Sequence, residues 1–264
     1  MKLEFPENIN KILLNKTYHE NTVGKTDSKV YIYDNFVLKV QKTSNETKNE
    51  FKIMRELNDK LPIPKAIEYV EKNGLSYTLM SKITGEMLSK NEYTNNPDKL
   101  ISLLCEGFKL LWSVDTKEFY IDSASNIHER LRTARYNVEN NLVDVNNVMP
   151  ETFGNKRFSS PKALLEWLEN NIPQQDLVFT HGDFCFENIF INNSHINGFI
   201  DLGKAGVADR WQDLAICIRE LDEIFLNIND SSCKKYSSDM LLEKLGIEKD
   251  DTKLKYYMLL DELF

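Results

Sequence analysis

Short segments rich in β-branched and aromatic residues dominate the first eighty residues. The predicted strands are residues 29–34, 35–40, 61–70 and 75–83. Asp34 and Asn35 separate the first two strands and form a pair typical of a hairpin turn. Residues 44–57 have helical periodicity, and Thr43 with Glu46 is predicted to form a capping box at the start of this helix.

From Pro97 onward, the apolar positions recur with the period of an α-helix. The predicted helices are residues 97–114, 126–141, 161–171, a segment from about Asp213, residues 238–245 and residues 256–263. Three short strands, at 176–180, 188–192 and 197–201, interrupt them. We therefore predict an α+β, bilobed fold, with a small β-rich N-lobe carrying one helix (residues 1–82) and a larger, mainly helical C-lobe (residues 83–264).

Composition narrows the class of protein. The formal net charge is −8 and the sequence pI is about 5.2, which argues against a nucleic-acid binder and is compatible with a cationic ligand. The four cysteines are scattered, so neither a disulfide framework nor a zinc site is expected. No signal peptide or membrane-spanning run is recognisable, and we expect a cytoplasmic protein without an obligatory protein partner.

The segment HGDFCFEN, residues 181–188, carries polar residues directly after a predicted strand. Asp183 lies in the turn and Asn188 opens the next strand, and the following hairpin is expected to bring Asp201 back beside both. Because Mg²⁺ prefers carboxylate and other oxygen ligands, Asn188 and Asp201 are predicted to hold the metal. Asp183 is then left to orient an attacking hydroxyl and accept its proton.

This layout resembles the catalytic loop of eukaryotic-type kinases, in the form H-G-D-x-x-x-x-N followed by D-x-G that small-molecule kinases use. Each motif alone is common in turns, but the two together, joined by a hairpin of suitable length, favour a kinase. The resemblance implies a protein-kinase-like fold, with ATP as phosphoryl donor and Mg²⁺ as metal.

A lysine and a glutamate are predicted to form a pair. Strand alternation puts Lys39 on the face opposite Leu38, and Glu50 falls on the inward face of the helix that follows. A buried charge needs a partner, and the pair resembles the kinase lysine and glutamate that hold nucleotide phosphates. Glu46 is the rival for Glu50, and we prefer Glu50 because Glu46 is assigned to the cap.

Further nucleotide contacts are predicted around this pair. Residues 23–28 contain a GKT sequence without the other glycine of a P-loop, so we interpret them as a turn between two strands in which Thr26 lies over the phosphates. Val37 shares the face of Lys39 and would cover the adenine. The kinase resemblance makes residues 79–83 the hinge, with backbone hydrogen bonds from Ser81 and Ile83. Since an aromatic residue could stack on adenine where Val37 stands, the choice between ATP and GTP stays open.

The segments VYIYDNFVLKV, LVFTHGD, NGFIDLGKAG, ADRWQDLA and KYYMLLDELF together resemble the aminoglycoside 3′-phosphotransferases, or kanamycin kinases. The likeness covers almost the whole chain, and the ending LLDELF is more specific to that family than the catalytic motifs. It implies transfer of a phosphoryl group to a hydroxyl, most simply the 3′-hydroxyl, of an aminoglycoside, which gives antibiotic resistance.

The C-terminal tail is predicted to bind this polycationic substrate. Asp261, Glu262 and the terminal carboxylate of Phe264 put three negative charges within four residues. The resemblance adds Arg219 and Glu223 as candidate substrate contacts. Asp213 receives a structural role, as an N-cap and as a brace for the loop near His181.

Three other function classes stay open. A kinase of another small alcohol, such as choline, a macrolide or a sugar, would share the catalytic motifs and differ in the tail. A non-catalytic nucleotide-binding module would not need Lys39, Asp183, Asn188 and Asp201 together, and a metal-dependent hydrolase would not need the lysine–glutamate pair.

Overall fold

The computed structural model describes residues 5–21, 28–117, 125–150, 152–154, 157–229 and 235–264. The chain divides into two compact units. Unit 1 contains residues 1–88 and 187–205, and unit 2 contains residues 89–186 and 206–264. The predicted α+β class is confirmed, with a β-sheet in the N-terminal part and mainly helices in the C-terminal part.

The described strands are β1 (Tyr18–Asn21), β2 (Lys29–Tyr33), β3 (Phe36–Lys42), β4 (Ala66–Lys72), β5 (Leu75–Ser81), β6 (Glu86–Met87), β7 (Leu177–Thr180), β8 (Ile189–Asn192), β9 (His195–Phe199) and β10 (Gly206–Asp209). The described helices are α1 (Glu7–Leu13), α2 (Asn45–Leu57), α3 (Asn91–Thr94), α4 (Pro97–Trp112), α5 (Ile127–Glu139), α6 (Pro161–Asn170), α7 (Trp211–Asn229), α8 (Asp239–Leu245) and α9 (Asp251–Asp261). None of these helices has the length and apolar content needed to cross a lipid bilayer.

Unit 1 is built on an antiparallel sheet of five strands in the order β1-β2-β3-β5-β4. The predicted hairpin at Asp34 and Asn35 joins β2 to β3. One face of the sheet is apolar, with Leu38 and Leu79 fully buried, and α1 covers it with Ile9 and Leu13. The sequence pattern did not predict α1, because a seven-residue helix supplies only two buried positions and no clear period.

Helix α2 begins with a capping box, but its residues differ from the predicted ones. The hydroxyl of Ser44 accepts a hydrogen bond from the Thr47 amide at 3.2 Å, and the Thr47 hydroxyl accepts one from the Ser44 amide at 3.2 Å. The prediction of Thr43 with Glu46 was therefore wrong by one position at each end. Threonine replaces the usual glutamate because its hydroxyl already lies within reach of the cap amide.

A second sheet of unit 1 carries the late hairpin of the chain. Its strand order is β6-β8-β9, and all pairings are antiparallel. Asn193 and Ser194 make the turn between β8 and β9, with φ of 50° and 64° at the two residues. Positive φ at both central residues is typical of the type I′ turn that joins two tightly paired strands.

Unit 2 is mainly helical around one two-stranded ribbon, β7 paired with β10. Helix α4 buries Leu100, Leu104 and Phe108, and α7 buries Leu214 and Leu221, each without solvent exposure. The α4 positions recur every four residues and the two α7 positions are seven residues apart, so each set lies on one face of its helix. The ribbon ends directly before His181, which fixes the start of the predicted catalytic loop.

Candidate active site

Three charged side chains meet in unit 1. The Lys39 ammonium lies 3.4 Å from both carboxylate oxygens of Glu50 on α2 and 2.8 Å from Oδ1 of Asp201, which follows β9. Strand β3 points Leu38 into the core and Lys39 to the opposite face, as its alternation predicts. Glu50 was the preferred partner on the sequence, although the stated reason, the cap on Glu46, was not the correct one.

Burial and charge set the protonation of this group. Burial raises the pKa of the Glu50 carboxyl, of which 3% is exposed, and the nearby ammonium of Lys39 acts against that rise. For Lys39, burial lowers the pKa, but the carboxylates of Glu50 and Asp201 outweigh it and the pKa stands above its ordinary value. Lys39 therefore stays a cation, fixed by two oppositely charged neighbours.

Asn188 and Asp201 flank the hairpin: Asn188 ends a 3-10 turn directly before β8, and Asp201 follows β9. The Ile200 amide donates to the Asn188 carbonyl at 3.0 Å, so the two arms are joined where β8 begins and β9 has ended. Asp201 has φ 59° and ψ 55°, the left-handed region that a residue with a side chain seldom adopts. Such strain is concentrated at functional sites, and here half of the Asp201 side chain is exposed.

Asn49 holds the turn after Asp201, and sequence analysis missed it. Its side-chain amide donates to the carbonyls of Gly203 and Ala205, both at 2.9 Å, and the residue is buried. Asparagine in the middle of a helix is unfavourable because its side chain competes for backbone hydrogen bonds. An asparagine next to Glu50 on an inward face was the available signal for this contact.

The predicted catalytic loop lies in unit 2, between β7 and residue 186. The buried carboxylate of Asp213 accepts hydrogen bonds from the amides of His181 at 2.6 Å and Gly182 at 2.8 Å. Gly182 has φ 82°, a conformation open mainly to glycine, and it turns the chain so that half-buried Asp183 follows. Burial raises the pKa of Asp213 to about 7, against the opposing effect of the two amide donors.

Asp213 braces the loop but does not cap α7. The helix begins at Trp211, so Asp213 lies inside its first turn, and the predicted N-cap role was wrong. The Trp211 amide instead donates to Oδ1 of Asp209 at 3.2 Å. This leaves both oxygens of Asp213 for the amides of the loop.

The far end of the loop is held by Glu220, a second residue that sequence analysis missed. Its Oε2 accepts a hydrogen bond from the Phe186 amide at 2.9 Å. Glu220 lies seven residues after Asp213 on α7, so the two carboxylates share one face of that helix and hold both ends of the loop. Phe184 between them is buried and stacks on Phe108, with ring centroids 4.3 Å apart.

The other residues predicted to bind nucleotide have these positions in unit 1. Val37 is half-buried in β3, and the amide of Ser81 at the end of β5 donates to the Lys65 carbonyl at 3.0 Å. The side chain of Ile83 packs so closely on Gly198 that a Cβ there would come within 2.7 Å of it. Thr26 lies outside the described residues.

The C-terminal tail of unit 2 is tied down through its own carboxylates. Oδ2 of Asp261 lies 2.7 Å from the Arg219 guanidinium, so two of the predicted substrate residues pair with each other. The Glu262 carboxylate accepts from the Met149 amide at 3.1 and 3.3 Å and is mostly buried. Phe264 is 42% exposed, and Glu223 is exposed on α7.

Comparison with known proteins identifies the family. Residues 17–231 match the model of the "Phosphotransferase enzyme family". The chain belongs to the phosphotransferase enzyme family. Among curated members, the chain is similar to the aminoglycoside 3′-phosphotransferase of Enterococcus faecalis, with 32% identity over 100% of this chain and 99% of that protein. It is also 35% identical to the aminoglycoside 3′-phosphotransferase of Campylobacter jejuni, over 84% of this chain and 83% of the relative.

Solved structures of phosphotransferases confirm the predicted kinase-like fold. An aminoglycoside phosphotransferase from Streptomyces rimosus, in complex with ADP and streptomycin, matches with a TM-score of 0.77 and 19% identity, covering 97% of this chain and 95% of the other. The resemblance drawn from the sequence and the prediction of a kinase-class enzyme are both confirmed by the family and its relatives.

Proposed function

We propose that this phosphotransferase moves the γ-phosphoryl group of ATP to a hydroxyl, most simply the 3′-hydroxyl, of an aminoglycoside antibiotic and so gives resistance in the cytoplasm. The observation that carries the reaction type is the contact of Lys39 with both Glu50 and Asp201. The substrate class rests on relatives named aminoglycoside 3′-phosphotransferase that align over the full chain.

Asp183 is the proposed catalytic residue. Its carboxylate orients the acceptor hydroxyl and takes its proton as the oxygen bonds to the γ-phosphorus, while the bond to the β–γ bridging oxygen breaks and ADP leaves. Asp213 supports this role because it binds the two amides that precede Asp183. Positioning and charge neutralisation supply most of the acceleration of such loose transition states.

The nucleotide half of the site is proposed for unit 1. Lys39, held by Glu50, binds the phosphates, and Val37 covers the adenine. Ile83 contributes backbone hydrogen bonds. Ser81 contributes through its carbonyl, because its amide is used within the sheet. Thr26 keeps its predicted role over the phosphates.

Asn188 and Asp201 fit a magnesium ion. Asp201 offers a half-exposed carboxylate that already has the Lys39 ammonium at 2.8 Å, so a cation is accommodated at this oxygen. Among the described residues, no cluster of three or more acidic, histidine or cysteine side chains forms a complete cage for a metal. That suits Mg²⁺, which takes one or two protein oxygens and completes its shell with phosphates and water. Bound there, the ion would neutralise part of the phosphate charge.

The aminoglycoside is proposed to bind at the C-terminal tail, through Asp261, Glu262 and the carboxylate of Phe264, with Arg219 and Glu223 beside them. Protonated amines of the drug are attracted to carboxylates in a partly desolvated site. Because Glu262 is already held by the Met149 amide, its carboxylate is fixed in place before the drug arrives. Preorganisation of this kind lowers the entropy lost on binding.

The test is ADP release with Mg²⁺, ATP and kanamycin, alongside an Asp183→Asn variant and a reaction without drug. We expect kanamycin-dependent turnover that the substitution lowers about a hundredfold or more. Aminoglycosides lacking single hydroxyls then identify the acceptor. ATP binding without turnover on any aminoglycoside would contradict the proposed substrate.

One observation favours the alternative of another small alcohol as acceptor. Asp261 is paired with Arg219, which offsets one of the negative charges that the tail offers to a polycation. Deletion of the last four residues separates the two functions. Loss of aminoglycoside turnover with retained ATP binding supports the proposal, and unchanged turnover supports the other acceptor.

A further inference from the structure

Arg130 on α5 lies between the two functional segments of unit 2. Its Nη1 donates to the Gly182 carbonyl at 3.5 Å, and its Nη2 lies 3.6 Å from Oδ1 of Asp261. The guanidinium carbon is 4.5 Å from the centre of the Phe264 ring. The side chain is 7% exposed, and its Nε has no hydrogen-bond partner among the described residues.

A guanidinium buried to this degree depends on its neighbours for neutralisation. Asp261 supplies a negative charge at 3.6 Å, and the face of Phe264 adds a cation–π contact. Asp213 is close enough for Arg130 to oppose the rise in its pKa. The charge of the tail is therefore part of what keeps Arg130 in place.

Both the amide and the carbonyl of Gly182 take part in hydrogen bonds. Its amide donates to Asp213 at 2.8 Å, and its carbonyl accepts from Arg130. That carbonyl belongs to the peptide group that joins Gly182 to Asp183, so the orientation of this group sets the direction of the proposed catalytic carboxylate. A loss of either contact frees the peptide to rotate.

We propose that Arg130 is a positioning residue that couples the C-terminal tail to the catalytic loop. When Asp261 changes its charge or partner, Arg130 moves, and the Gly182–Asp183 peptide follows. The tail then does two things: it binds the acceptor, and through Arg130 it aligns Asp183. The kinetic part of this inference rests on the proposed function.

A merely structural role would predict something different. Asn137, further along α5, donates to the Leu263 carbonyl at 2.9 Å and also anchors the tail, but no described contact joins it to the loop. If Arg130 were a second anchor of this kind, its loss would raise the KM for the drug and leave kcat unchanged. Positioning of Asp183 instead appears in kcat.

The first experiment is a double-mutant cycle on the full chain with kanamycin and ATP. We expect Arg130→Lys and Asp261→Asn each to lower kcat about tenfold or more, since small misplacements of a catalytic group are costly. The double variant should lower kcat no further than Arg130→Lys alone. Asn137→Ala should change only KM. Arg135 lies on α5 like Arg130 and pairs at the surface with Glu169 of α6. Arg135→Lys should therefore change neither kcat nor KM. Additive effects on kcat would overturn the proposal.

A second readout needs no substrate. Amide hydrogen exchange of peptides covering residues 180–186 should become faster in Asp261→Asn and stay unchanged in Asn137→Ala. Because this measurement uses no Arg130 variant, it tests the coupling even if the Arg130 variants fail to fold. Unchanged exchange in Asp261→Asn overturns the inference. If exchange is faster in Asp261→Asn while the wild-type protein phosphorylates no aminoglycoside, only the proposed substrate is refuted.

Discussion

The two units hold their functional residues in different ways. In unit 1, Lys39 is fixed by side chains of opposite charge, Glu50 and Asp201. In unit 2, the loop around Asp183 is fixed through its backbone, whose amides donate to carboxylates of Asp213 and Glu220 on α7.

This difference follows from which groups each region is proposed to present to its ligands. Lys39 and Asp201 are themselves the proposed ligands of nucleotide and metal, so their mutual pairing holds cation and anion in place until those ligands bind. In the proposed mechanism the carboxylate of Asp183 faces the acceptor, and the contacts with Asp213 and Glu220 hold the loop through its backbone. A side chain in an ion pair can exchange its partner for a ligand, whereas hydrogen bonds to the backbone fix the orientation of the loop.

The largest expected effect tests whether catalysis and nucleotide binding depend on different residues. Asp183→Asn should lower turnover by about a hundredfold to ten-thousandfold, because a general base is removed, and should leave nucleotide affinity nearly unchanged. Parallel ADP-release and ATP-titration measurements check both. An equal loss of turnover and of ATP affinity would place Asp183 in the nucleotide site instead.

Glu50→Gln should weaken ATP binding about tenfold, since the Lys39 ammonium loses a charge-assisted partner. Isothermal titration with ATP and Mg²⁺ measures the change. Glu46→Gln is the matched control, one turn earlier on α2 and exposed. If both substitutions weakened binding alike, the effect would be one of net charge and not of the pair.

The buried brace of unit 2 predicts a dependence of stability on pH. The pKa of Asp213 is raised from 3.8 to about 7, so the folded chain keeps a proton that the unfolded chain releases between these values. The contribution of this group is fully present below pH 3.8 and is lost as pH rises to about 7. Urea unfolding at about pH 5 and about pH 8 should show a smaller loss in Asp213→Asn than in wild type. An identical loss would mean that Asp213 is ionised throughout.

The smallest effect concerns the cap of α2. Ser44→Ala should cost about 1 kcal/mol in free energy of unfolding, since the Thr47 amide loses its acceptor. Thr43→Ala should cost less, because the buried Thr43 hydroxyl has no hydrogen-bond partner among the described residues. Denaturant unfolding compares the two, and a larger cost at Thr43 would restore the capping box predicted from sequence.

Several local elements and the order of the motifs follow from the sequence alone. The alternation of β3, the turn at Asp34 and Asn35, and the hairpin that carries Asn188 and Asp201 all depend on residues close together in the chain. Their side-chain periods and turn preferences can therefore be recognised without a structure.

Contacts between groups that are distant in the chain depend on the tertiary structure. The contacts of Asn49 with Gly203, of Glu220 with Phe186 and of Arg130 with Asp261 join residues far apart in sequence. An inward-facing polar residue shows that it needs a partner, but the packing of helices and loops selects that partner. The sequence therefore proposes the charged residues of the candidate site, and the fold determines what holds each of them, because that choice depends on distances the local pattern does not contain.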